Sequence, residues 1–174
     1  MNKLFCFFLF IFILALARLI PHPPNFTPII ASAIISPIII SNRVYAVLIP
    51  ILAMFISDLL IGFHPYMFVV YLTISIISLT IPKKEKLSRL LIFAFLSSCW
   101  FFLVTNFAVW LAWDYYTKDL KGLITCYTLA IPFFTNTLIS TVLFTGIFFY
   151  LLEPLRLVNQ KFNQSINYLF QKNY

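Results

Sequence analysis

Apolar runs broken only by short polar stretches occupy almost the whole chain, and this pattern limits the fold more than any other feature. Runs fall at 4–20, 28–41, 44–61, 66–81 and 90–113, and a sixth stretch, 123–152, is too long for one upright crossing. A bilayer hydrocarbon core of about 30 Å needs roughly 20 helical residues, with about 17 as a lower limit. Only 10% of the residues are charged and 62% are hydrophobic, whereas a soluble domain carries about 25% charged residues. Too few polar side chains are present to coat a globule. The expectation is an all-α membrane protein: a bundle of six transmembrane helices, one transmembrane domain over 1–174 with no separate soluble domain.

Taken in order, run 4–20 follows Lys3 and just reaches spanning length. It resembles a signal peptide, with Ala15-Leu-Ala17 as the cleavage point, but it continues through Leu19 and Ile20 and is rich in bulky Phe, so an uncleaved first span is expected. Run 28–41 is short and interrupted by Pro37; Ala31, Ser32, Ala33 and Ser36 give it a small face that lets helices approach closely. Ser41-Asn42-Arg43 reads as a turn. Pro132 is expected to split 123–152 into a lead-in and a final span over 134–152, and Glu153-Pro154 to stop that span. The tail 153–174 is polar but keeps Tyr168, Leu169 and Phe170, as a short helix on the membrane surface would.

The net charge of +7 sets orientation rather than nucleic-acid binding. Lys and Arg in short loops stay cytoplasmic. With the N-terminus inside, Lys3, Arg43, Lys83, Lys84, Lys86, Arg89, Arg156, Lys161 and Lys172 lie inside, and only Arg18, Lys118 and Lys121 outside. Both termini are therefore expected in the cytoplasm of a cell (inner) membrane. No basic-aromatic surface for RNA or DNA is seen. Cys6, Cys99 and Cys126 are odd in number, far apart and set in apolar runs, as small hydrophobes are. Nucleophile motifs, zinc-helix motifs and phosphate loops are absent, so the chain is expected not to be an enzyme, to hold no cofactor and to hydrolyse no ATP.

The polar residues fall at one end. Arg18-Leu-Ile-Pro-His-Pro-Pro-Asn-Phe-Thr-Pro28 packs four prolines and the polar His22, Asn25 and Thr27 into the first external loop. Proline ends helices, and the loop reads either as a stiff turn or as a loop that faces a ligand. Asp58 and His64 end the third run, Asn106, Trp110 and Trp113 the fifth, and Asn136 opens the last span from the same side. The expectation is an outward-opening cavity closed toward the cytoplasm. Each residue has a second reading. Asp58 would pair with Arg18, His22 or His64, because a lone acid in a span costs about 2.5–3.5 kcal/mol at the bilayer centre. Trp110 and Trp113 would belong to an interfacial aromatic belt, and Asn106 and Asn136 would bond between helices. Trp110 lies one turn past Asn106, so both can face one cavity. His22 and His64 without a third ligand are too few for a metal site.

Arg18 to Ile29, Ser57-Asp58 with Gly62-Phe-His64, Phe102-Leu-Val-Thr-Asn106-Phe-Ala-Val-Trp110, and Ile131-Pro-Phe-Phe-Thr-Asn136-Thr-Leu138 resemble, in that order, the motifs of an uncharacterised family of bacterial integral-membrane transport proteins. That family is similar to the substrate-binding S components of energy-coupling factor (ECF) transporters. The resemblance implies six helices, a cytoplasmic N-terminus, and a pocket for a vitamin or similar micronutrient capped by the loop after helix 1. It also implies docking on a coupling subunit with two ABC ATPases. S components often carry Ala-x-x-x-Ala on helix 1, where this chain has only Ala15-Leu-Ala17. On this reading a small heteroaromatic or nucleobase-like substrate would stack on Trp110 and Trp113. It would bond to Asp58, Asn106 and Asn136, beneath a loop carrying His22, Asn25 and Thr27 and close to His64; a cation would take Asp58 as its counter-charge. The alternative is a non-catalytic scaffold or accessory subunit of an envelope complex, and the discriminator is whether Trp110 sits in a wet concavity or faces lipid. An intramembrane enzyme would have only Asp58 with His64 as its reactive pair.

Overall fold

The short run after Pro28 becomes the centre of the molecule. The structure, a computed structural model, describes the backbone of residues 3–171 and the side chains of residues 5–152. Six helices follow one another: α1 Lys3–Leu19, α2 Ile29–Ile39, α3 Arg43–Ile61, α4 Met67–Thr80, α5 Leu87–Ala112 and α6 Leu120–Gln171. Helix α2 packs against α3, α4, α5 and α6, while α1 lies on α3. Every residue of α2 from Ile29 to Pro37 is buried. Ala31, Ser32, Ala33 and Ser36 leave the backbone close to its neighbours. The serine hydroxyls are satisfied inside the helix, Ser32 Oγ donating to Ile29 O (2.7 Å) and Ser36 Oγ to Ser32 O (2.6 Å).

Among the described residues three segments are long and apolar enough to cross a membrane: Arg43–Ile61, Leu87–Ala112 and Leu120–Leu152. The surface agrees, with Phe8, Phe12, Phe68, Leu72, Ile92 and Leu96 all more than half exposed; a soluble monomer does not show apolar surface on this scale. Helices α1, α2 and α4 have 17, 11 and 14 residues. At 1.5 Å per residue α2 covers only about 16 Å, half of a hydrocarbon core. The expected span at 28–41 is therefore a shorter helix, and its enclosure by four neighbours explains how so short an element is kept.

Four of the ten prolines lie inside helices without breaking them. Pro37 and Pro50 lie inside α2 and α3, and α6 runs through both Pro132 and Pro154. This corrects the expected split at Pro132 and the expected stop at Glu153-Pro154. A proline in a helix interior costs about 3 kcal/mol. Unwinding in an apolar surrounding would strand several backbone groups at several kcal/mol each, so continuing the helix is the cheaper outcome. The backbone of 153–171 continues α6; the expected lie of Tyr168, Leu169 and Phe170 on a surface falls outside the residues whose side chains are described.

The chain alternates direction, so the two ends of the bundle differ. At one end Ile11 and Leu14 of α1, Ile34 and Ile35 of α2, and Ile77 and Ile81 of α4 and its C-cap belong to one apolar core. Asn42 Oδ1 caps α3 by accepting from Val44 N at 2.9 Å, and Arg43 Nη1 donates to Ile81 O at 2.6 Å and to Ser78 O at 3.3 Å. A cation on the last carbonyls of a helix is favourable for both charge and hydrogen bonding. The opposite end is hollow.

Candidate functional site

The hollow end holds a cavity of about 510 Å³. Its wall is drawn from the C-terminal ends of α1, α3 and α5, the N-terminal parts of α2, α4 and α6, and the loops between them, including His22, Asn25, Thr27, His64, Asn106 and Trp113. Six of the nine residues singled out in the sequence therefore share one concavity. Asp58, Trp110 and Asn136 do not line it.

The first loop forms one side of the cavity through its own turns. Phe26 N donates to Pro23 O and Thr27 N to Asn25 O. Asn25 takes a positive φ of 63°, which Asn tolerates because its short amide bonds locally. The loop is tied across the bundle: Asn136 Nδ2 of α6 donates to Pro24 O at 3.0 Å, and the rings of Phe26 and Phe144 meet edge-on at 6.0 Å. Asn136 thus holds the loop rather than the cavity interior.

Asp58 is 1% exposed. Its Oδ1 pairs with Arg18 Nη1 at 2.7 Å and its Oδ2 accepts from Tyr71 Oη at 2.7 Å. Arg18 also donates to Ser57 Oγ (2.6 Å) and Met54 O (3.2 Å). Of the readings left open for Asp58, pairing with Arg18 is the one found. Its carboxylate is consumed, and Arg18 is what the cavity sees. Gly62, at φ 107°, closes α3 with its N–H on Asp58 O at 2.9 Å and turns the chain toward His64; a side chain there would be strained.

His64 rests on Tyr66 with ring centroids 4.2 Å apart, and Tyr66 meets Trp113 edge-to-face at 5.6 Å. All three line the cavity and form an aromatic wall. Burial lowers the His64 pKa; the Asp58 charge opposes this and the Arg18 charge adds to it. Burial alone pushes the Tyr66 hydroxyl up. His64 therefore favours the neutral ring, and its Nδ1 is buried without a partner. Asp58 and His64 share no hydrogen bond among the described residues, although the Asp58 charge acts on the His64 ring.

Trp110 departs from expectation. Its Nε1 donates to Thr117 O at 2.9 Å, and it packs on Phe107 at 5.5 Å. Lys118 Nζ reaches Trp110 O (2.5 Å) and Trp113 O (2.6 Å), capping α5. Asp119 Oδ1 then accepts from Gly122 N at 2.7 Å, capping α6, and this backbone bond is the largest cause of its lowered pKa. Trp110 staples the α5–α6 loop outside the cavity, so as a discriminator it gives no support to solute capture. Only Trp113 of the expected indole pair is on the wall.

Asn106 Nδ2 donates to Phe102 O at 2.8 Å, leaving its Oδ1 without a partner among the described residues. Sequence reasoning missed Arg18, Tyr66 and Thr141 as wall residues. Thr141 is wholly buried, and its Oγ1 has no partner. Other threonines here bond back to the carbonyl four residues earlier, as Thr105 and Thr137 do. For Thr141 that carbonyl, Thr137 O, accepts instead from Ser140 Oγ at 3.0 Å. The sequence shows Thr141 only as a threonine on a cavity-facing stripe.

No curated protein and no solved structure matches the chain. A match to a sequence family extends over residues 1–165, nearly the whole length, and on it the chain belongs to the family of unknown function DUF6580.

Proposed function

We propose that the protein captures a small micronutrient-like solute, vitamin or nucleobase in type, in the cavity at the Arg18–Trp113 end, as a non-catalytic S-component-like subunit of an uptake system. The observation that carries this reading is the cavity itself. About 510 Å³ is the size of small-molecule sites, which run to about 300–1,000 Å³ and combine apolar walls with a few convergent polar groups. The first loop, tied down by Asn136, is the cover, and the apolar core beneath closes the other end. All six helices would lie in the bilayer, with α2 enclosed. The nine-to-three distribution of Lys and Arg supports a cavity that opens outward, with both termini in the cytoplasm. By the resemblance to S components, its partners would be a membrane coupling subunit and ABC ATPases.

The test is thermal unfolding of the purified protein against a panel of vitamins and nucleobases. A solute that binds only the folded state at 100 times its Kd adds about 2.7 kcal/mol and raises the midpoint. A concentration-dependent rise for one chemical class supports capture. A flat response across the panel contradicts it and favours the scaffold role.

A further inference from the structure

We infer that the cavity is built for an uncharged planar solute carrying hydrogen-bonding groups on its edge, held by Arg18, His64 and Thr141. This rests on the solute-capture reading and narrows its substrate class. Among the described residues Arg18 is the only Lys, Arg, Asp or Glu on the wall. Its charge is already matched, because Nη1 lies 2.7 Å from Asp58 Oδ1. A solute carboxylate would have to share that one guanidinium with Asp58 and would leave a net negative charge away from water. A solute cation would meet Arg18 first, since Asp58 is 1% exposed and held by Arg18 and Tyr71. Neutral solutes meet neither cost.

What the wall lacks is hydrogen-bond partners rather than charge. Every contact of the Arg18 guanidinium runs through Nη1, so Nε and Nη2 have no partner among the described residues and are free to donate to a carbonyl-type acceptor. His64 Nδ1 and Thr141 Oγ1 are buried and unpartnered. Ser78 Oγ and Thr145 Oγ1 are unpartnered too but lie off the wall; Arg18, His64 and Thr141 line the cavity from α1, the α3–α4 loop and α6. A ligand between them would satisfy all three once the side chains turn toward it, because His64 Nδ1 and Thr141 Oγ1 have almost no exposed surface. Tyr66 and Trp113, edge-to-face at 5.6 Å, supply flat apolar surface that suits a planar ring.

The experiment is calorimetric titration of the purified protein with nicotinamide, nicotinate and 1-methylnicotinamide, and with uracil and orotate. These sets hold the ring constant while charge changes. The neutral members are expected to bind at least about tenfold tighter than the charged ones. Thr141→Val keeps the shape and removes the hydroxyl; it should weaken the best neutral binder about tenfold with an unchanged unfolding midpoint. Thr145→Val, one turn beyond and off the wall, should leave affinity unchanged. If nicotinate, orotate or the methylated cation binds tightest, the neutral-solute inference is overturned and solute capture stands. Equal affinity in Thr141→Val overturns the three-point frame. No heat with any compound overturns this inference together with the reading beneath it.

Discussion

The two ends of the bundle each carry one buried-face arginine, and the two are used in opposite ways. Arg43, at the packed end, spends its guanidinium on the final carbonyls of α4. It closes a helix terminus beside a core of Ile34, Ile35, Ile77 and Ile81. Arg18, at the hollow end, is held from behind by Asp58, Ser57 and Met54 O while its side chain lines the cavity. One end is finished: its apolar side chains interlock and most of its polar groups are paired. The other encloses open volume lined by His64 and Thr141; unpartnered buried atoms occur both there (His64 Nδ1, Thr141 Oγ1) and away from it (Ser78 Oγ, Thr145 Oγ1). On the proposed reading, stability and binding are carried by different halves of the molecule, so substitutions should separate the two properties.

The largest effect should come from Asp58→Leu. It leaves Arg18 without its counter-charge and should cost about 3–5 kcal/mol in detergent unfolding. Arg18→Met combined with Asp58→Leu should recover most of that loss, since replacing both partners with apolar groups is often near neutral. At the packed end, Ile34→Ala empties a fully buried site and should cost about 2–4 kcal/mol without changing the affinity of the remaining folded protein for solute. Thr141→Val should do the reverse. Next comes Arg43→Met, which frees two carbonyls and should cost about 1–2 kcal/mol. Asn136→Ala removes the tie to Pro24 O. A loss of about 1 kcal/mol is expected, with faster hydrogen exchange confined to the first loop. If Ile34→Ala weakened solute binding as much as Thr141→Val, the division between the ends would be broken.

The smallest effect is a pH dependence. The His64 pKa is lowered in the folded protein, first by burial. The unfolded chain therefore takes up this proton first, and stability should fall as pH drops through about 6.5. Above that value both states are neutral and the contribution is complete. His64→Gln should flatten the acid side of the profile, as read by unfolding midpoints between pH 5 and 8.

The sequence carried the all-helical class, the small face of α2 and the gathering of polar residues at one end, because run length, small residues and alternating direction decide these. Local rules failed where surroundings outweighed them. Pro132 and Pro154 looked like breaks, but α6 runs through both; at Pro132, inside the apolar segment, the helical backbone has no better partner than itself. Trp110 lies one turn past Asn106, and helical spacing put both toward one cavity, with Trp113 beside them at the same end. The C-cap at Trp113 ends that periodicity, and the Thr117 carbonyl draws Trp110 away. Arg18 read as a partner for Asp58 and was found so, but a guanidinium has two edges, and only packing shows which edge stays free. Thr141 was hidden for a similar reason: Thr105 and Thr137 bond back to their own helix while Thr141 does not, and only the packed rotamer shows which hydroxyl stays unpaired.

The most direct test of the central claim uses Trp113 as the only indole. Trp100→Phe with Trp110→Phe leaves it alone on the cavity wall, since the chain has three tryptophans. Fluorescence of this variant is titrated with neutral vitamins and nucleobases, and thermal unfolding reports that it is folded. The account expects saturable quenching by a neutral planar compound, reduced about tenfold in affinity by Thr141→Val. A folded protein whose Trp113 emission responds to none of them, or responds equally with Thr141→Val in place, would contradict it.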